Sequence, residues 1–263
     1  MIVTGCNSPE SSEKQKEYPA TDQAREKGAL QSYEDMLRRR VNRNGKVHYA
    51  GIRVDSTPLV DYLEYLNEKM ELLNDAPESA QLAFWINYFN AATLHLIVQH
   101  YPVASVLEIG HDLSDVDRIN YDSLNQNHPN HPFDMDIFGS ESQGLTLRSI
   151  RDSIIRGLYN DPRVHFALVD GTMSSPRLRR QVYVSENLGA QLDAAAEEFF
   201  SQPEKNVLNP TNPRLSPLMR KYRVDFGPDE DDVIEFVNPY IPIRIRQGAK
   251  VTYLDFDWRL NGY

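Results

Sequence analysis

The hydrophobic positions of this chain fall first into helical spacing and only later into alternation. Ser32 to about Val41 carries a helical pattern that stops at Asn44-Gly45. Thr57-Pro58 reads as an N-cap followed by a first-turn proline, after which Leu59, Leu63, Leu66 and Met70 share one face. Pro77 to His100 is the most apolar segment, with Leu82, Trp85, Ile86, Phe89, Ala92 and Leu96, and Pro102 ends it. Val103 to Ile109 adds a short helix, and residues 110 to 144 read as loop. Leu147, Ile150, Ile154 and Leu158 mark a further amphipathic helix after Thr146. The short apolar run Val164 to Val169 reads as a strand. Ser185 caps a helix bearing Leu188, Leu192, Ala195 and Phe199, and Ser216-Pro217 opens another.

The period then changes. Ile243 and Ile245 alternate with Arg244 and Arg246, Gln247-Gly248-Ala249 reads as a turn, and Val251, Tyr253 and Asp255 alternate with their neighbours. This predicts a C-terminal β-hairpin. Helices that mostly precede strands predict an α+β domain over residues 30–263, with a helix-rich N-terminal part packed on a small antiparallel sheet.

Composition narrows the chemistry. The 263 residues are 40% hydrophobic and carry a net charge of −10. A folded core is expected, and a general nucleic-acid binder, which needs a basic face to meet phosphates, is not. The single cysteine, Cys6, excludes an intramolecular disulfide and a cysteine-rich zinc site. It also excludes a thiol nucleophile within the domain unless Cys6 folds back into it. No Gly-x-Gly-x-x-Gly and no Walker loop is present, so no nucleotide cofactor is expected, nor any other cofactor.

The N-terminus reads as an address. Val3-Thr4-Gly5-Cys6 resembles a bacterial lipobox, in which small residues precede the cysteine that takes the lipid. The polar stretch that follows, up to about residue 29, has too few apolar residues to bury and reads as a tether. With Asn7 after the cysteine, the resemblance implies a lipoprotein on the periplasmic face of the outer membrane, touching the membrane only through its anchor.

Several side chains are candidates for chemistry. Asn87 and Asn90, three residues apart, share a side of an apolar helix; they either clamp neighbouring backbone or line a pocket. His165 stands in an apolar run, either as a satisfied core residue or as a pocket residue, with Asp257 and Asn261 as expected companions. A carboxylate on one ring nitrogen would fix the tautomer and leave the other free. Ser174-Ser175 precedes Pro176 and reads chiefly as a turn, although a serine beside a base can act as a nucleophile. His128 and His131, with His111, Asp134 and Asp136 nearby, are weak metal candidates in what reads as a solvated loop; Asp112, Asp115 and Asp117 lack the spacing of a calcium loop. Asp229-Glu230-Asp231-Asp232 reads as a helix N-terminus, and Arg38-Arg39-Arg40 as a solvated helix face.

Four segments together carry a resemblance. They are Ala83 to Ala91 (AFWINYFNA), Arg163 to Leu168 (RVHFAL), Ser175 to Arg179 (SPRLR) and Phe256 to Asn261 (FDWRLN). In this order the chain resembles the bacterial and plant family called domain of unknown function 547, over roughly residues 32 to 263. The resemblance implies a scaffold rather than a reaction. Its chain order, a buried helix, then a histidine, then a late acidic or amide residue, is similar to that of papain- and transglutaminase-like folds. Family members usually carry cysteines where this chain has Asp170 and Ser175, and an Ile-Glu-His where it has Ile150-Arg151-Asp152. A degenerate, binding-only member is therefore expected. Its pocket would use Asn87, Asn90, Asp170, Trp258 and Asn261, and would hold a small molecule, a peptide or an envelope protein. The alternative is a hydrolase or acyl transferase with His165 as base, Asp257 orienting it, and water or Ser175 attacking.

Overall fold

The computed structural model describes residues 20–110, 131–137 and 144–263. Cys6, Asn7, His111, Asp112, Asp115, Asp117 and His128 lie outside these residues. Helix α1 (Ala20–Arg40) begins within the stretch expected as a tether, in a run of polar residues of high helix propensity. It ends at the predicted stop, where Asn42 accepts hydrogen bonds from the backbone of Asn44 and Lys46 and Gly45 takes φ +71°. The buried face of α1 is Tyr33, Met36 and Leu37, with Tyr33 stacked on Tyr62 at 4.2 Å.

A short helix α2 (Tyr49–Val54) leads to α3 (Thr57–Lys69), which packs on both α1 and α4 (Glu78–His100). Helix α4 is apolar nearly all round and is accordingly enclosed: Ile86, Tyr88, Phe89, Ala91, Ala92 and Ile97 have no exposed surface. The helix predicted after Thr146 opens into a π-helical stretch, Ser149–Ile155, closed by one α turn, Arg156–Leu158 (together α5). Helix α6 (Leu188–Phe200) follows Ser185 as the pattern predicts. Two short helices, α7 (Pro217–Lys221) and α8 (Arg223–Phe226), precede α9 (Glu230–Val237). The acidic start of α9 forms a reciprocal cap between Asp229 and Asp232.

Helix thus dominates a small sheet, and α+β holds in that broad sense. Two predicted details are corrected. Val164–Val169 is not a strand: Pro162–Phe166 forms a 3-10 helix, capped by Asp161, whose carboxylate accepts from the Arg163 N–H at 3.0 Å. The Asp-Pro start signal outweighs the apolar run, whose hydrophobicity reflects burial on all sides. Val164 and Ala167 join the main core around α1, α3 and α4, while Phe166 joins a second cluster with Phe199, Leu215, Met219 and Val233. His165 stands at the seam of the two.

The C-terminal hairpin is also absent among the described residues. Thr252–Tyr253 (β2) pairs in parallel with Arg214–Leu215 (β1), Arg214 opposite Thr252 and Leu215 opposite Tyr253. The extended segment lies alongside residues 209–215 rather than folding back. Arg246 and Lys250 donate to the carbonyls of Pro210 and Thr211, and Leu254 to that of Leu215. Asn238 clamps both backbone groups of Ile245, and Asp231 accepts from Gly248 N–H. The alternation announces an extended chain but not its partner, which lies about forty residues away. Residues 258–262 then thread between three segments, bridging Ser105, Thr172 and Val47.

Candidate functional site

His165 is 2% exposed. Its Nε2 lies 2.6 Å from Oδ2 of Asp225, and its ring is stacked on Tyr222 at 4.1 Å, with Phe226 at 5.4 Å. Asp225 in turn receives Arg156, at 2.6 Å from Nε and 2.9 Å from Nη2. Arg156 also reaches Asp152 at 3.0 Å, and Asp152 holds Arg151 through two hydrogen bonds of 2.8 and 3.0 Å. The three α5 groups, Arg151, Asp152 and Arg156, meet one residue from α8 and one from the 3-10 helix.

The charges follow from these contacts. Burial lowers the pKa of His165, against the pull of Asp225. For Asp225, burial works in the opposite sense, but the hydrogen bonds from His165 and Arg156 outweigh it and hold the carboxyl well below the usual range. Asp225 is therefore the ionised acceptor, and the neutral His165 ring donates its Nε2–H to it. Burial works against the charge of Arg151, but Tyr222, Asp152 and Asp170 overcome this and raise its pKa further. Arg151, Asp152 and Asp170 are thus linked by charge.

The partners expected for His165 are elsewhere. Asp257 is not its orienting carboxylate: it binds Arg259, two residues on, through Nε at 2.9 Å and Nη2 at 2.5 Å, and Arg259 lowers its pKa. Its backbone is tied to Ser174, whose Oγ accepts from Asp257 N–H at 2.7 Å. Ser175 is buried, and its Oγ donates to the Thr172 carbonyl at 2.7 Å, while its own carbonyl accepts from Lys205. These bonds make the local turn expected before Pro176. Asp170 accepts from the N–H and hydroxyl of Thr172 at 3.1 and 2.7 Å.

The amides act on backbone. Asn87 donates to the Tyr183 carbonyl at 2.8 Å and accepts from its N–H at 2.9 Å. Asn90 donates to the Ala167 carbonyl and accepts from Val169 N–H, both at 2.9 Å. Each closes a two-bond clamp between α4 and a segment that lacks regular pairing. Asn261 accepts from the Tyr49 hydroxyl at 2.7 Å, and the Trp258 ring lies tilted against Phe256 with centroids 4.2 Å apart while its carbonyl accepts from Ser105 Oγ.

His131 caps the turn Pro132–Asp134, its Nδ1 accepting from Phe133 N–H at 3.1 Å, and burial lowers its pKa to about 4. Asp134 is held by Arg148. Among the described residues no group of three His, Cys, Asp or Glu side chains is placed to hold a metal, and no helix is long and apolar enough to cross a membrane.

The residues that sequence reasoning missed are Asp225, Tyr222 and Arg156. Arg156 follows Asp152 at the helical i,i+4 spacing, a readable signal. Asp225 lies sixty residues beyond His165 in a segment without motif, and nothing local marks it.

Among the described residues several hollows flank this framework; one of about 180 Å³ touches Ser175 and Asn261, and two are larger. One, of about 480 Å³, runs between α3 and α4 and is lined by Tyr62, Tyr65, Leu73, Phe84 and Asn87. The other, of about 380 Å³, lies between the end of α1 and residues 177–181. No curated protein and no solved structure matches the chain. Residues 73–200, which span α4, α5, His165 and α6, match a family model described as "Protein of unknown function, DUF547", and it is this family that the chain resembles.

Proposed function

We propose that the chain is a non-catalytic binding domain, a family-like scaffold in which the histidine serves the fold. The observation that carries this reading is the dispersal of the three candidate catalytic groups. His165 is covered by Tyr222 and bonded to Asp225, Ser175 Oγ is spent on Thr172, and Asp257 is spent on Arg259. A base works when it can reach the proton it abstracts. Here the ring is buried and the nucleophile candidate, Ser175, is engaged with its own turn.

In this reading the likeness to papain- and transglutaminase-like folds is one of chain order alone, and Asp170 and Ser175 stand where members of the family that the chain resembles usually carry cysteines. The domain would sit in the cell envelope, tethered by a lipid at Cys6, and hold a small molecule, peptide or envelope protein in a hollow beside α4 or α1. The rival reading, a hydrolase or acyl transferase built on His165, is tested directly. Initial rates are measured for purified full-length protein and for His165→Ala on ester, thioester and amide substrates. The expected outcome is no rate above buffer for either protein. Turnover by the parent that His165→Ala abolishes while remaining folded overturns the proposal.

A further inference from the structure

The hollow beside α1 has an unusual lining for a chain of net charge −10. Arg38, Arg43, Arg177, Arg179 and Arg180 all contribute to it, against one carboxylate, Glu198. Two of the five arginines are balanced. Arg38 pairs with Glu34 at 3.1 Å and Asp35 at 3.0 Å, and Arg177 lies 3.4 Å from Glu198 and 3.7 Å from Glu204. Arg43, Arg179 and Arg180 have no carboxylate partner among the described residues.

Arg179 rests over the Tyr183 ring at 5.4 Å, and Arg180 donates one Nη2 hydrogen bond to the Arg38 carbonyl at 2.5 Å. The Nε atoms of both are buried without an acceptor. Those buried Nε atoms are closed off from the hollow and the rest of each guanidinium is what could meet a ligand, while three positive charges gathered around one space repel one another until an anion lies between them. The wall opposite is set by Gly45: a Cβ there would come within 2.5 Å of the Arg177 Cβ, so the α1 turn lies directly against the arginine segment.

We infer that this hollow is a binding site for a phosphomonoester, its dianionic phosphoryl group held by Arg43, Arg179 and Arg180. A guanidinium offers paired N–H donors whose spacing suits two oxygens of one phosphate, which is why arginine is used where planar two-point recognition of an oxyanion is needed. Three unbalanced cations suit a dianion better than a single carboxylate. A volume of about 380 Å³ exceeds a phosphate ion and leaves room for the alcohol that carries it. That alcohol belongs to a soluble metabolite or to a lipid headgroup. The inference rests on the binding reading above and names its ligand.

The test is calorimetry on the full chain with glycerol 3-phosphate, beside flotation with phosphatidylcholine vesicles with and without phosphatidic acid. Saturable binding of glycerol 3-phosphate is expected, weakened about tenfold in Arg43→Gln and in Arg179→Gln, the loss of one charge-assisted contact. Arg43 is exposed, so its variant keeps the fold, which the unliganded melting temperature checks. Flotation that needs both phosphatidic acid and Arg43 identifies a lipid source; binding of the soluble ester alone identifies a metabolite. No binding, or binding that both variants leave unchanged, or displacement by chloride as readily as by phosphate, overturns the inference. Turnover in the assays above would overturn the non-catalytic reading without touching this one.

Discussion

At the scale of single residues, the decisive contact is His165 with Asp225. A buried ion pair or its neutral equivalent adds little net stability over an apolar replacement, but removing one partner leaves the other buried and unmatched. Removing the Asp225 carboxylate would take from the buried His165 its charged partner and leave Arg156 with Asp152 alone. Asp225→Asn and His165→Ala are therefore each expected to destabilise the protein by about 2–4 kcal/mol in urea denaturation. The double variant should cost about 1–2 kcal/mol less than the sum of the two. Asp257→Ala, whose partner Arg259 is 78% exposed, should shift stability by less than about 1 kcal/mol and show no coupling to His165. A His165–Asp257 coupling as large as that with Asp225 would refute the arrangement. The sequence offers no route to this pairing. Asp257 sits in a segment that resembles the family and Asp225 does not, yet contact depends on how α8 is folded over the 3-10 helix.

At the scale of elements, the structure relies on α4 as a rigid post against which irregular segments are fixed. Residues 167–169 and 182–184 have no ladder of their own, and buried backbone groups must be paired somewhere. Asn87 and Asn90 supply those pairs. Their i,i+3 spacing on an apolar helix was readable, and so was their choice between clamp and pocket; only the conformation of the facing segments decides it. Asn90→Leu leaves the Ala167 carbonyl and Val169 N–H unmatched and is expected to cost about 2–4 kcal/mol, more than the roughly 1 kcal/mol of a typical surface amide. Thermal denaturation checks this, and a near-neutral Asn90→Leu would show that the clamp is not needed. Gly171 is a second fixed point, with φ +80° and no room for a Cβ, which would lie 2.4 Å from Ile97 Cδ1. The helices were legible because their 3.6-residue period is set by the face each buries. The sheet was not, because β1 and β2 are two residues each and their pairing is not local.

At the scale of the whole molecule, the buried histidines tie stability to pH. Burial lowers the pKa of His165, His131 and His95 below 6.5 in the folded protein. Below pH 6.5 the unfolded chain binds protons that the folded one refuses, so stability falls with acid from there toward the folded values. For His131 the folded value is about 4, which bounds its contribution at about 3 kcal/mol. Asp225, also depressed, adds a loss below the ordinary carboxylate pKa, in the same direction. The melting temperature should fall steadily between pH 6.5 and 4, and the slope should shrink in His131→Gln. A flat profile over that range would contradict the burial assigned to these rings.

The account turns on a neutral, immobile imidazole at position 165. Nitrogen-15 NMR of the histidine rings across pH reads both the protonation state and the tautomer of that group. The structure predicts a His165 signal that is neutral and Nε2-protonated at neutral pH and takes up a second proton only at a pH below that of an exposed imidazole, its Nε2 proton slow to exchange with water. A His165 ring that titrates near 6.5, or that carries its proton on Nδ1 and exchanges rapidly, would contradict the locked pair and restore the histidine as an available base.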